Sequence, residues 1–180
     1  MKTFVFAVLL SSLATAQTGW TPVESKIPDI PVLDQDGRPM HFYRDLVQGQ
    51  TVAIEFIFTT CTTVCRPLTA TFRKVQKELG DAKAVRLISI SVDPETDRPE
   101  VMKAYAGTFS AEPGWTFVTG EKAEIDRLRK ALNAFSGEKA DHTPMVLIGN
   151  DRTNRWTRAS GFSKASALAG TIREAAAQKD

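Results

Sequence analysis

The chain has 180 residues, a net charge of +2, and a composition that is 42% hydrophobic and 24% charged. That supplies the core of one domain and too little for two. Near-neutrality excludes the strongly basic face through which a protein grips nucleic acid or an anionic membrane.

Residues 1–16 read as a signal peptide. Lys2 forms the positive start, Phe4 to Leu13 the apolar stretch, and Ala14-Thr15-Ala16 a small-x-small cleavage site. The apolar stretch is shorter than the roughly 20 residues a membrane span takes. Cleavage after Ala16 removes one lysine and no acid, leaving 22 basic and 21 acidic residues. The expectation is an exported, periplasmic monomer, tied to the membrane only if the signal is retained. Gln17, not a cysteine, stands directly after the cut, so a lipid-attached N-terminus is not expected.

Residues 17–29 are polar with scattered prolines and read as a lead-in to a domain over 30–180. Residues 30–33 and 39–42 flank Asp36-Gly37 and predict a hairpin. Residues 51–58 predict a buried strand. A helix over 64–79 follows from Val64, Leu68, Phe72, Val75 and Leu79, with Gly80 as its stop.

Val85 to Val92 predict a second buried strand. Asp97, Pro99 and Glu100 suit the cap, first turn and capping-box position of a helix running to about Phe109. Residues 115–118 predict a strand. Residues 121–135 predict a helix with Ile125, Leu128, Leu132 and Phe135 inward. Residues 145–148 and 156–159 predict an antiparallel pair about an Asn150-Asp151-Arg152 turn, and 163–178 an alanine-rich helix. Buried strands alternating with helices mean an α/β fold: a mostly parallel central sheet with an antiparallel edge, and helices on both faces.

The only cysteines, Cys61 and Cys65, stand where the first buried strand gives way to a helix. Residues four apart share a helical face, with Cβ atoms about 5–6 Å apart. Thiols so placed can close a disulfide or hold one soft metal ion. In an oxidising compartment a two-cysteine chain commonly carries a structural disulfide. Here the ring is so small that it restricts the unfolded chain little, which favours a reactive or metal-binding pair. A helix N-terminus stabilises thiolate, the form that attacks disulfides and binds metals.

A strand followed at once by a cysteine pair and helix, with a later Thr143-Pro144, resembles the thioredoxin-like fold. That resemblance places His142 beside the two sulfurs. Two thiolates and an imidazole suit Cu(I), which tolerates low coordination. Zinc wants a fourth ligand, for which Asp141 or Glu55 are the candidates.

Four blocks carry a family resemblance: Phe56 to Cys65; Ser89 to Asp97 with Pro99 and Tyr105; Trp115 to Gly120; and Asp141-His142-Thr143. Together, over residues 27–170, the chain resembles the Sco/SenC family of copper-binding, thioredoxin-like cytochrome oxidase assembly proteins. The resemblance implies copper, as Cu(I) first and Cu(II) as an alternative, held by Cys61, Cys65 and His142. It implies an exported metallochaperone whose partner is a copper-receiving oxidase subunit or another copper chaperone. The Asp93 to Asp97 block is expected to shape the strand exit and the helix cap.

Two departures keep a thiol–disulfide oxidoreductase in view, in which one of Cys61 and Cys65 attacks a partner disulfide and the other resolves it. The sequence does not settle which, the N-terminal Cys61 being the usual attacker. Arg66 stands between the second cysteine and Pro67, where it can stabilise negative charge or face solvent. Pro144 follows the redox-enzyme pattern, in which this proline tends to be cis and to shield the thiols. A peroxidase-like relative fits the surrounding blocks less well. His41 reads as a surface residue, Met40, Met102 and Met145 as core, and Trp20, Trp115 and Trp156 as packing.

Overall fold

The computed structural model describes residues 19–20, 26–80, 84–135 and 144–178. The signal peptide, Asp141, His142 and Thr143 lie outside the described residues, and so does the peptide bond into Pro144.

Pro31–Asp34 (β1) and Pro39–His41 (β2) form the hairpin at the expected place, with Gly37 at φ 76° in its turn. A short π-helical turn, Phe42–Val47, then buries Phe42, Leu46 and Val47, a feature the sequence pattern did not predict. Thr51–Ile57 (β3) leads into Cys65–Leu79 (α1), and Val85–Ser91 (β4) into Pro99–Thr108 (α2). Trp115–Thr119 (β5), Lys122–Ala131 (α3), the antiparallel pair Met145–Asn150 (β6) and Arg155–Ser160 (β7), and Ala165–Ala177 (α4) complete the chain.

One seven-stranded sheet runs β2-β1-β5-β4-β3-β6-β7. Its centre, β3-β4-β5, is parallel, and antiparallel strands flank it on both sides rather than on one edge. Side chains alternate between faces along a strand, so β3 divides its residues cleanly. Val52, Ile54 and Phe56 pack with Phe42, Leu46, Ile125 and Leu128 on one face. Ala53 and Ile57 pack with α1, α2 and α4 on the other, together with both cysteines. Fully buried side chains such as Phe56, Phe72 and Phe117 each contribute about 1.5–3 kcal/mol by leaving water. Ile27, assigned to the lead-in, is itself buried in this core.

Three local expectations need correction. Arg98, not Asp97, is the N-cap of α2, and no side chain caps that helix; the Asp97 carboxylate is directed elsewhere. Helix α3 stops at Ala131 because Asn133 adopts a left-handed backbone, φ 51°, which breaks the helical period. Phe135 is therefore not inward but 40% exposed, with Arg129 and Lys130 over its ring. Cys61 precedes α1 rather than lying on it, so the two cysteines do not share a helical face.

Candidate functional site

Strand β3 ends at Ile57, and a tight turn closed by the Cys61 N–H donating to the Phe58 carbonyl (3.1 Å) delivers Cys61 to the mouth of α1. Helix α1 opens on Cys65, whose backbone N–H has no partner within the helix. The Cys61 sulfur accepts that N–H at 3.4 Å and so takes the role of a cap. Both cysteines are free and buried, Cys61 at 5% and Cys65 at 0% exposure.

The two thiols are electrostatically unequal. Burial works against a Cys61 thiolate. The Cys65 thiol and backbone N–H, with the N–H and hydroxyl of Thr63, outweigh burial and bring it down to about 7. Burial pushes Cys65 up to about 12, reinforced by its donation to Cys61 and by the nearby Cys61 and Glu55 charges; the Phe58 backbone N–H opposes this. One sulfur is thus a ready thiolate at neutral pH and the other holds its proton.

Asp97, fully buried, fastens the turn that carries Cys61. It accepts the Thr59 N–H at 3.2 Å, the Thr59 hydroxyl at 2.5 Å and the Ser91 hydroxyl at 2.7 Å. Ser91 in turn accepts the Asp93 N–H at 3.0 Å. Burial holds the Asp97 carboxyl above the usual carboxylate range, although its hydrogen bonds pull the other way. The expected strand-exit role of this block is present. The cap role is replaced by a tie across to the cysteine turn.

Beneath Cys65 lies a buried polar strip that sequence reasoning did not assemble. The Thr69 hydroxyl donates to the Cys65 carbonyl at 3.0 Å and lies 3.1 Å from the Tyr105 hydroxyl. Glu55, fully buried on the same face of β3, accepts the Ser89 hydroxyl at 2.6 Å. Ser89 accepts the Trp115 indole N–H at 2.8 Å. Burial raises the Glu55 carboxyl to about 8 against the pull of Ser89 and Thr69. The available signal was Glu55 itself, the one charged residue in a strand otherwise apolar from Val52 to Ile57.

The remaining candidates are placed as follows. Arg66 is exposed, and its guanidinium carbon stands 5.5 Å from the Phe109 ring centroid; no hydrogen bond joins it to either sulfur among the described residues. Pro144 immediately precedes β6, with its carbonyl accepting the Gly161 N–H at 3.0 Å. His41 is exposed and pairs with Asp29 at 3.5 Å, as expected of a surface histidine. Met102 is fully buried and Met40 and Met145 partly so. Trp115 stacks on Phe117 with ring centroids 4.9 Å apart, and Trp156 is buried.

An α/β sheet with helices on both faces, and a dithiol at the turn from a central parallel strand into its helix, defines a thioredoxin-like dithiol protein. The family model described as SCO1/SenC matches residues 26–177, and the chain belongs to that family. The SCO1 protein homolog of Bacillus subtilis (strain 168) is 34% identical over 117 residues, 63% of this chain and 58% of that relative. The chain thus spans less than two thirds of that relative's length. A structure of BsSco, described as a member of the Sco family of cytochrome c oxidase assembly proteins with a disulfide switch, superposes with a TM-score of 0.72. It is 27% identical, over 88% of this chain and 98% of that one. Bradyrhizobium japonicum ScoI with copper bound shares the fold at a TM-score of 0.68 and 24% identity, over 82% and 99% of the two chains.

Proposed function

We propose that this protein is an exported copper chaperone that takes its cargo at Cys61 and Cys65, with His142 as third ligand, and passes it to the copper site of a respiratory cytochrome oxidase. The observation that carries this reading is the buried, unequal dithiol of a SCO1/SenC chain. One sulfur is already close to thiolate, both stand at a helix mouth, and the surroundings are apolar. Such a donor set suits a soft monovalent ion that accepts two or three ligands. The copper-bound Bradyrhizobium relative and the oxidase-assembly description of BsSco support the choice of cargo and recipient. His142 enters through the Asp-His-Thr motif, Asp141 as its neighbour, and residues 1–16 as the export signal.

The test is an anaerobic titration of the reduced protein with Cu(I) against a competing chelator. Wild type should take one copper per chain. Cys61→Ser, Cys65→Ser and His142→Ala should each lose more than the about 10–100-fold that removal of an outer-sphere partner costs. Wild-type binding no tighter than a small dithiol, or an unaltered His142→Ala, overturns the site.

A second reading, thiol–disulfide exchange with a cysteine-bearing partner, is favoured by one observation. A sulfur near 7 beside one near 12 is the asymmetry of an attacking and a resolving thiol. Turnover of a disulfide substrate that is lost in Cys61→Ser and arrested as a mixed disulfide in Cys65→Ser would establish it.

A further inference from the structure

Arg129, on α3, is the only cation buried in the protein among the described residues, with its side chain 4% exposed. Its Nη1 reaches Asp126 at 3.3 Å. Nε and Nη2 are also enclosed and have no hydrogen-bond partner among the described residues. Those two nitrogens direct their N–H groups side by side along one edge of the guanidinium. That edge is the fork that takes both oxygens of a carboxylate. Charged donors buried without an acceptor are strongly unfavourable, so the fork calls for an anion.

The neighbouring side chains leave that call unanswered. Asp126 makes its shorter contact, 2.6 Å, with the Lys122 ammonium and only its longer one with Arg129. Burial works against the Arg129 charge, and Asp126 offsets it in part. Lys130 and Arg158 pair with no carboxylate among the described residues. The Lys130 ammonium stands 4.8 Å from the centroid of the Phe135 ring, and Arg158 donates to the Leu132 carbonyl at 3.2 Å. The end of α3 therefore gathers positive charge around the unpartnered fork. Phe135 stands over the guanidinium, its ring centroid 5.0 Å from the central carbon. It lies on non-helical chain beyond α3 and is 40% exposed. A ring so placed can turn aside and admit a small anion, whereas a folded partner is too large to follow it there.

We propose that Arg129 is the binding site of a small dissolved carboxylate, held by Nε–H and Nη2–H beneath Phe135. A carboxylate is planar and lies in the plane of the guanidinium, so it enters without turning an oxygen toward the negative face of the ring. A tetrahedral phosphate or sulfate would project an oxygen out of that plane. Lys130 and Arg158 favour the anion through their charge and are not its ligands. The site shares no residue with the dithiol, so its test is independent of the Cu(I) titration.

The experiment uses the metal-free, reduced protein at neutral pH, isotopically labelled for nitrogen NMR. Sodium acetate is the probe, and sodium chloride holds the ionic strength constant. The Arg129 Nε–H proton resonance should move downfield and saturate, because it gains a charge-assisted hydrogen bond. Tm should rise with the same saturation, by about 2–4 °C once acetate reaches roughly five times its Kd. Arg129→Lys keeps the charge but loses the fork, and should bind acetate at least about 10-fold more weakly. An Nε–H resonance that acetate does not shift saturably overturns the proposal, and that result needs no variant to fold. It would mean that water or a carboxylate of the chain itself already meets the fork. Identical melting curves in acetate and chloride, or an unaltered Kd in Arg129→Lys, also overturn it. Sulfate binding as tightly as acetate at equal ionic strength overturns the choice of a carboxylate.

Discussion

At the scale of single residues, Cys61 and Cys65 are the same amino acid four positions apart and behave as different reagents. Cys61 is lowered, against its burial, because its thiolate receives the Cys65 thiol and the N–H that opens α1, and Cys65 is raised because it is wholly enclosed. Alkylation of the reduced protein should therefore follow a single ionisation near pH 7. It should level off about one pH unit above that, well before an ordinary thiol of about 8.5 would. Mass spectrometry should place the label on Cys61 alone. Cys65→Ala removes a hydrogen-bond donor and should move the midpoint up toward the ordinary value. A second labelled cysteine at neutral pH would contradict the assignment.

At the scale of elements, two contacts outside the dithiol fix how neighbouring segments meet. Asp97 couples the β4–α2 turn to the β3–α1 turn through Thr59 and Ser91. Asp97→Asn sets an amide N–H₂ against one of those donors and should cost about 1–3 kcal/mol, the penalty for an unmade buried hydrogen bond. Denaturant unfolding measures that cost, and Cys61 alkylation should accelerate as its turn loosens. Gly161 meets the residue just before β6 so closely that an added Cβ would lie 2.7 Å from the Pro144 Cβ and 2.9 Å from its carbonyl carbon. Gly161→Ala should lower stability by about 1–3 kcal/mol, as overpacking does, read as a fall in Tm. The elements themselves were largely legible, since hydrophobic period and the Gly80 stop are local signals. The role of Asp97 was not: its position before Pro99 looks like a cap, and its partners arrive only when β4 lies beside β3.

At the scale of the whole molecule, the buried Glu55 makes stability depend on pH. Its folded value near 8 lies above the ordinary 4.5, so the folded protein keeps a proton the unfolded chain has already lost. The associated stability is fully present below 4.5 and is lost as pH rises to about 8. The loss approaches ~5 kcal/mol at most, since each pH unit separating the folded and unfolded values is worth about 1.4 kcal/mol. Denaturant melts across that window should show the decline in wild type, and Glu55→Gln should flatten it. A wild-type profile rising over the same range would mean that the carboxylate is paired in solution.

The amino-acid order by itself determined the alternation of strands and helices, the position of the dithiol at a strand-to-helix turn, and the motif that carries His142. All of these are encoded in residues adjacent along the chain or a few positions apart. Only the tertiary structure decided which cysteine is the thiolate, that Asp97 braces the cysteine turn, and that Glu55, Ser89, Trp115, Thr69 and Tyr105 meet under Cys65. The physical reason is that burial and hydrogen-bond partnership belong to the packed face of the sheet. Its contributors, from β3, α1, β4, α2 and β5, are brought together only by folding.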